Sequence, residues 1–352
     1  MLQTARITME HGSGGQATGE LIGEIFASAF DNDVLDRMED SAVVPGSGRI
    51  AVTTDSFVVT PLVFRGGDIG RLSVCGTVND LLMRGAVPKY LTCGFILEEG
   101  LEVSLLQRVV DSLAKTAKEA GVSIIAGDTK VIEGNGGLYI NTTGVGFVPD
   151  GVEISAANAQ AGDAVLVSGT MGDHHAAILG ERLNIESDIE SDCAPLGEIV
   201  RGLLDGGIEV RTLRDVTRGG LATVLKELAA ASGKCFMLEE NAVPVSPKVR
   251  DFCGLLGLDP LYMGNEGKLV AVVPGEQAER ALEIMRNARY GSGAAVIGKV
   301  LEAKEGAGAG SADRGGAGSA EGFEAGELLM RTEIGGIRRL TVLQGEGLPR
   351  IC

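Results

Sequence analysis

SAVVPGSGRIAVTTD, residues 41–55, decides between two readings of the N-terminal half. Upstream, a short apolar run at 5–9 leads into HGSGGQA, residues 11–17, after which Leu21, Ile22, Ile25, Phe26 and Ala29 fall at helical spacing. A strand, a glycine turn matching GxGxxA through Gly12, Gly14 and Ala17, and a helix would together open a dinucleotide-binding unit. Such a unit needs a parallel second strand after its helix. Residues 41–44 and 50–54 instead flank PGSGR, the pattern of an antiparallel β-hairpin, which decides against a dinucleotide fold. The glycine segment is then either a plain turn or a helix N-terminus whose N–H groups hold phosphate oxygens.

Outward from the hairpin, Ile69, Leu72, Cys75, Val78 and Leu82 form one stripe and predict a helix over 68–84. A strand at 90–97 follows, then a helix marked by Leu105, Leu106, Val109, Val110, Leu113 and Ala117 and stopped by Gly121, then strands at 123–126 and 138–147. Between 149 and 163 the pattern restarts. It gives strands at 164–168, 210–213, 235–238, 269–273, 295–300, 328–333 and 338–343, with helices from 172 and over 196–204, 219–231 and 276–288. The expected fold class is α/β (α+β), with domains at 1–150 and 151–343 and a tail at 344–352. Residues 303–326, AKEGAGAGSADRGGAGSAEGFEAG, are a low-complexity stretch between strands, read as a lengthened surface turn.

The 352 residues carry 31 Lys+Arg against 48 Asp+Glu, a net charge of −17 that disfavours nucleic acid and acidic membrane surfaces as partners. No apolar run approaches the roughly 20 residues that span a bilayer, and the N-terminus lacks a signal-peptide layout, so a cytoplasmic protein is expected. Three His and no CxxC or HExxH argue against zinc, and the six Cys form no disulfide framework. Glycine, at 53 residues, is about twice its average usage of roughly 7%, which implies many tight turns or close backbone approaches.

No GxxxxGK[ST] is present, so an ATP site must be of another kind. Asp40, Asp55, Asp80, Asp128 and Asp215 stand at element ends, where carboxylates hold Mg²⁺ that carries a triphosphate, or act as caps and turn residues. Lys130 beside Asp128 and the helix-opening Thr217-Arg218-Gly219-Gly220 favour phosphate. His174 and His175 read as capping and first-turn residues, and Glu98 and Glu99 as a solvated turn. The tail GEGLPRIC ends in the thiol of Cys352, and about eight residues reach roughly 26–29 Å, far enough to present it to more than one site.

HGSGG, TTDSFVVTPLVFRGGDIG, VNDLLMRGA, AGDTKV, SGTMGDHHAAIL, RDVTRGGLA, GNEGK and terminal PRIC together resemble the HypE family of hydrogenase maturation proteins. These are carbamoyl dehydratases within the superfamily of aminoimidazole ribonucleotide synthetase, selenophosphate synthetase and thiamine monophosphate kinase. The resemblance runs from Met9 to Cys352 apart from the low-complexity stretch.

It implies a two-domain aminoimidazole ribonucleotide synthetase-like fold whose N-terminal domain binds ATP and forms an intersubunit β-barrel in a homodimer. It also implies ATP-dependent dehydration of an S-carboxamide on Cys352 to a thiocyanate, the source of cyanide for a nickel–iron centre. The partners implied are the carbamoyltransferase HypF and the HypC–HypD iron-assembly complex. By motif, Asp40, Asp55, Asp80 and Asp128, with Asn79 and Asp215, are carried over to Mg²⁺ and triphosphate. His11, Gly12, Ser13 and Gly14 are carried over to a glycine segment covering the phosphates, Glu266 to proton abstraction and Lys130 to polarising the oxygen or phosphate. The competing readings are a selenophosphate- or thiamine-phosphate-type enzyme of the same superfamily, or a non-catalytic thiol carrier. HGSGGQ lacks the Cys and Lys that selenophosphate chemistry wants, and a soluble-substrate kinase does not need the terminal Cys352.

Overall fold

The computed structural model describes residues 6–12, 16–35, 44–46, 48–303, 323–342 and 352. Residues 41–43 of the expected hairpin, Ser13 and Gly14, Asp40, most of the low-complexity stretch and the tail before Cys352 lie outside the described residues. The chain forms two compact units. The first comprises Met1–Val152, His174–Gly197 and Leu348–Cys352, and the second Glu153–Asp173 and Glu198–Gly347. The sequence reading ran its second domain unbroken from 151, whereas the residues from His174 to Gly197 fold with the first unit.

In the first unit, α1 (Gln16–Leu21) passes through a π turn (Ile22–Ala27) into α2 (Ser28–Phe30). Next come β1 (Ile50–Phe57), the short pair β2 (Val63–Phe64) and β3 (Gly67–Asp68), α3 (Ile69–Met83), β4 (Val87–Glu98), α4 (Val103–Ala120), β5 (Ser123–Ile132) and β6 (Leu138–Phe147). The main sheet has the order β1-β6-β4-β5. Strand β1 pairs antiparallel with β6, in keeping with the exclusion of a dinucleotide unit. Strands β4 and β5 are parallel, which requires the crossover that α4 supplies.

Helix α3 starts because Asp68 caps it, accepting the Arg71 N–H at 2.9 Å. It is buried on every side, as an apolar helix inside a core is. Gly70 permits this: a Cβ there would lie 2.2 Å from the Val109 carbonyl oxygen of α4. Helix α4 is one-sided, burying Leu106, Val109, Val110, Leu113 and Ala117, and it ends at Gly121 with φ +73°. Helix α5 (Asp173–Arg182) begins the segment that returns to this unit.

The second unit contains β7 (Ala164–Val167), α6 (Gly197–Asp205), β8 (Thr212–Asp215), α7 (Gly220–Ser232), β9 (Cys235–Glu239), α8 (Pro247–Leu256), β10 (Leu269–Val273), α9 (Ala278–Asn287), β11 (Ala295–Leu301), β12 (Leu328–Arg331) and β13 (Ile337–Leu340). Its sheet has the order β13-β12-β9-β11-β7-β10-β8, with β12 and β9 parallel and the other pairs antiparallel. Every residue of β10 is buried, which explains its continuous apolar run. Helix α8 was not among the predicted elements, although SPKVRDFCGLLG carries its signals. Ser246 caps it by accepting the Val249 N–H, Pro247 occupies its first turn, and Gly257 ends it with φ +68°.

Gly70→Ala is expected to lower the unfolding free energy of the first unit by about 1–3 kcal/mol, the usual cost of overpacking. Denaturant titration of the full chain reads this directly, and an unchanged midpoint would contradict the close approach of α3 to α4.

Candidate active site

Strand β1 alternates, so Thr53, Asp55 and Phe57 face α3 while Thr54 and Ser56 face away. On α3, Gly76 and Asp80 are four residues apart and share a face. The Thr53 hydroxyl donates to Asp80 Oδ2 at 2.8 Å. A Cβ at Gly76 would meet the Phe57 ring at 2.9 Å and Asp55 Oδ2 at 4.0 Å, so the missing side chain lets strand and helix close together at the two carboxylates. Asp55 and Asp80 therefore belong to one wall, both half-buried.

Asp128 does not join that wall within one chain. Its register partner is Gly94, which pairs with Asn141, which pairs with Ser56, and paired residues point to the same face of a sheet. Asp128 thus lies on the open face, opposite Asp55. Lys130 lies on that face too, and its Nζ donates to both Asp128 oxygens at 2.6 and 2.8 Å. This contact holds the Asp128 carboxyl below the usual carboxylate range. Both side chains are exposed, so the pair is weak as a stabilising contact but well placed to meet a ligand. The same face carries exposed Ile50, Val52, Ile96 and Ile132.

At the end of β4, Glu98 is more than a solvated turn residue. It accepts the Asn135 and Gly137 N–H groups and the Tyr139 hydroxyl, each at 2.8 Å, and these bonds push its pKa down. It thereby holds the glycine turn after β5.

His11 is buried, and its Nδ1 accepts the Thr8 N–H at 3.1 Å, so its ring anchors the start of the glycine segment. Asn79 is 2% exposed, and its amide is engaged through both nitrogen and oxygen. It donates to the Ala194 carbonyl at 3.0 Å and accepts the Leu196 N–H at 2.9 Å. The structure thus commits Asn79, expected at the nucleotide, to the backbone of 194–196. Gly12 lies in a 3₁₀ turn (Met9–Gly12).

In the second unit, β10 is antiparallel to both β7 and β8, so the residues before it and after them share one sheet edge. Asp215 ends β8 opposite Leu269 and is buried. Glu266 is 4% exposed in the loop before β10. That loop is set by its neighbour Asn265, missed in the sequence reading although GNEGK contains it. The Asn265 amide accepts the Gly172 N–H at 3.0 Å and donates to the Thr170 carbonyl at 3.2 Å. The Asn265 N–H reaches the Val216 carbonyl at 2.9 Å, tying together the loops after β7 and β8. Gly169 leaves room for the Lys268 side chain, whose Cε would lie 2.7 Å from a Cβ there.

Of the six thiols, five are buried and Cys352 is half-buried. Burial pushes the Cys235 and Cys253 thiols up to about 11, leaving them protonated and inert at neutral pH. Among the described residues no three His, Cys, Asp or Glu side chains are grouped to hold a metal, and no helix is long and apolar enough to cross a membrane. The Asp55 and Asp80 oxygens nonetheless fit Mg²⁺, which takes one or two carboxylates together with substrate phosphates rather than an all-protein cage.

Residues 38–148 match the family model of the AIR synthase related protein N-terminal domain, and residues 160–310 that of its C-terminal domain. The carbamoyl dehydratase HypE of Rhodobacter capsulatus is 45% identical over 359 residues, covering 100% of this chain and 99% of that protein. The crystal structure of a hydrogenase maturation protein HypE in complex with ATP has a TM-score of 0.90 at 46% identity, covering 98% of this chain and 99% of its own. A HypE–HypF complex structure gives a TM-score of 0.76 at 43% identity, covering 92% of this chain and 99% of that one.

His174 and His175 are first-turn residues of α5, as expected, but both are buried. Burial lowers the pKa of His175 from 6.5 to about 4. Its contribution to stability is present above pH 6.5 and is lost as the pH falls toward 4, because only the unfolded chain takes up the proton in that window. His175→Gln is therefore expected to flatten the fall in unfolding free energy between those pH values, and a wild-type slope in the variant would sink this account.

Proposed function

Because the chain belongs to the family of the HypE carbamoyl dehydratases, we propose that it uses ATP to convert a carboxamide on Cys352 Sγ into a thiocyanate. The observation that carries the reading is the reachable thiol at the last position of a chain whose other cysteines are buried. ADP and phosphate are the other products, and the cyanide serves assembly of a nickel–iron hydrogenase centre. The ATP complex of a 46% identical relative supports nucleotide use.

A carboxamide oxygen is a poor leaving group. Transfer of the γ-phosphoryl to it gives an imidate phosphate, from which phosphate departs as the carbon–nitrogen bond becomes triple. Two N–H protons must leave as well. Glu266 takes a proton from the nitrogen. Lys130 moves from its pairing with Asp128 to the carboxamide oxygen or the transferring phosphoryl, offsetting charge there. Asp55 and Asp80, with Asp40, would hold Mg²⁺, which would screen the triphosphate, while Asp128, on the opposite face of that sheet, would join them only from the second copy of a dimer. The segment from His11 through Gly12, Ser13 and Gly14 covers the phosphates with backbone N–H groups. Asn79 acts beside Asp80 and not on the nucleotide.

The open face of the first sheet, with its exposed isoleucines and Val52, supports a homodimer closed as a β-barrel between two copies. HypF, seen with HypE in a complex structure, is the proposed carbamoyl donor, and the HypC–HypD complex the acceptor. All of this takes place in the cytoplasm.

Mass spectrometry of the C-terminal peptide after carbamoylation is expected to show loss of one water only with MgATP, and an unchanged peptide would overturn the reading. Glu266→Gln should slow this conversion by about 10²–10⁴-fold, the range of a lost general base. Asp80→Asn should instead abolish ATP cleavage, and full activity in either variant would remove that residue from the mechanism.

A further inference from the structure

The chain leaves the second unit after Asp173, folds with the first, and returns after Gly197. The proposed chemistry uses none of the residues in this excursion, including its opening pair His174-His175. Its docking is nevertheless specific. The His174 ring lies edge-on to Phe64 and its Nδ1 hydrogen bonds with Ser191 Oγ at 2.7 Å. The same Oγ accepts the Cys193 N–H at 3.1 Å, and the Ser191 N–H donates to the Arg65 carbonyl at 2.9 Å. Gly66, at φ +89°, makes room, since a Cβ there would lie 2.7 Å from the Ser191 backbone. Arg71 Nε donates to the Cys193 carbonyl at 2.8 Å, and Asn79 clamps residues 194 and 196.

The two ends of the excursion adjoin the two sets of residues that matter for the reaction. Its entry follows Gly172, whose N–H is held by Asn265, the neighbour of Glu266. Asp173 there accepts the Thr170 hydroxyl at 2.6 Å. Its exit is held by Asn79, the residue before Asp80.

We propose that residues 174–197 are a positioning strap that couples the helix carrying Asp80 to the loop carrying Glu266, with Asn79 and Ser191 as its two locks. The proposal rests on the reading above that Asp80 and Glu266 serve the reaction. Asn79 and Ser191 are positioning residues: they touch neither nucleotide nor thiol and act through the backbone they hold.

Asn79→Ala and Ser191→Ala, separately and together in the full-length chain, test this. Three quantities are read: the Kd for ATP, the conversion rate of carbamoylated Cys352 at saturating MgATP, and amide hydrogen exchange. Each variant is expected to keep the ATP Kd within about threefold and to lose about 10–100-fold in conversion, the scale of a misplacement of about 1 Å. Exchange should quicken at Cys193 and Leu196 and also at Gly172, at the far end of the strap. The double variant should lose no more than the worse single one, as for two locks on one element.

The proposal is overturned if ATP affinity falls in step with conversion, which would make Asn79 a nucleotide ligand. Quickened exchange at Leu196 with normal conversion, or an unmoved Gly172 amide, overturns it equally. If Asn79→Ala does not fold, Ser191→Ala decides alone. A wild-type chain that binds ATP yet converts no carboxamide defeats the proposed function, and the Gly172 exchange then decides the strap by itself.

Discussion

Helix α3 has almost no side to give to water: thirteen of its fifteen residues are buried. A helix in that position must satisfy its polar side chains from within the protein. The Ser73 hydroxyl donates to the Gly70 carbonyl at 2.9 Å, Thr77 pairs with Thr142 of β6, and Asn79 with the backbone of the returning segment. The last two of these contacts fix what lies beside the helix, so the sheet and the strap are both placed by the same need. Asp80 is one of the few α3 side chains left partly open, and it inherits the precision of everything packed around it.

The elements were largely legible because their apolar periodicity is strong, as in the stripe of α4 and the continuous run of β10. The faces were harder. Asp55 and Asp128 both end apolar runs and look equivalent in a linear reading, yet a register chain through Gly94 and Asn141 sets them on opposite sides of one sheet. No local pattern encodes that parity. The path of residues 174–197 was hidden for a related reason: its docking depends on backbone carbonyls and amides, which carry no sequence signature, and on Asn79, whose type fits ligand binding as well as clamping. By contrast, α8 and the role of Asn265 were legible in the Ser-Pro cap and in GNEGK.

Charge gives the two faces of the first sheet different tasks at their acidic positions. On the open face Lys130 already neutralises Asp128, and that pair opens only when something better is offered to the lysine. On the wall of β1 and α3, Asp80 accepts the neutral Thr53 hydroxyl. A net charge of −17 favours counter-cations at this acidic wall over a second anion arriving bare.

The interleaving of the two units also bears on how the chain is made. A ribosome delivers residues in order, and N-terminal domains generally fold first during synthesis. Here the first unit is not complete when its sheet is. Until Gly197 has emerged, the Asn79 amide lacks the backbone partners that make its burial tolerable, and the groove beside Gly66 lacks the Ser191 main chain that fills it. The nascent N-terminal half must therefore wait, with α3 partly uncovered, while the first strand of its neighbour is already being laid down.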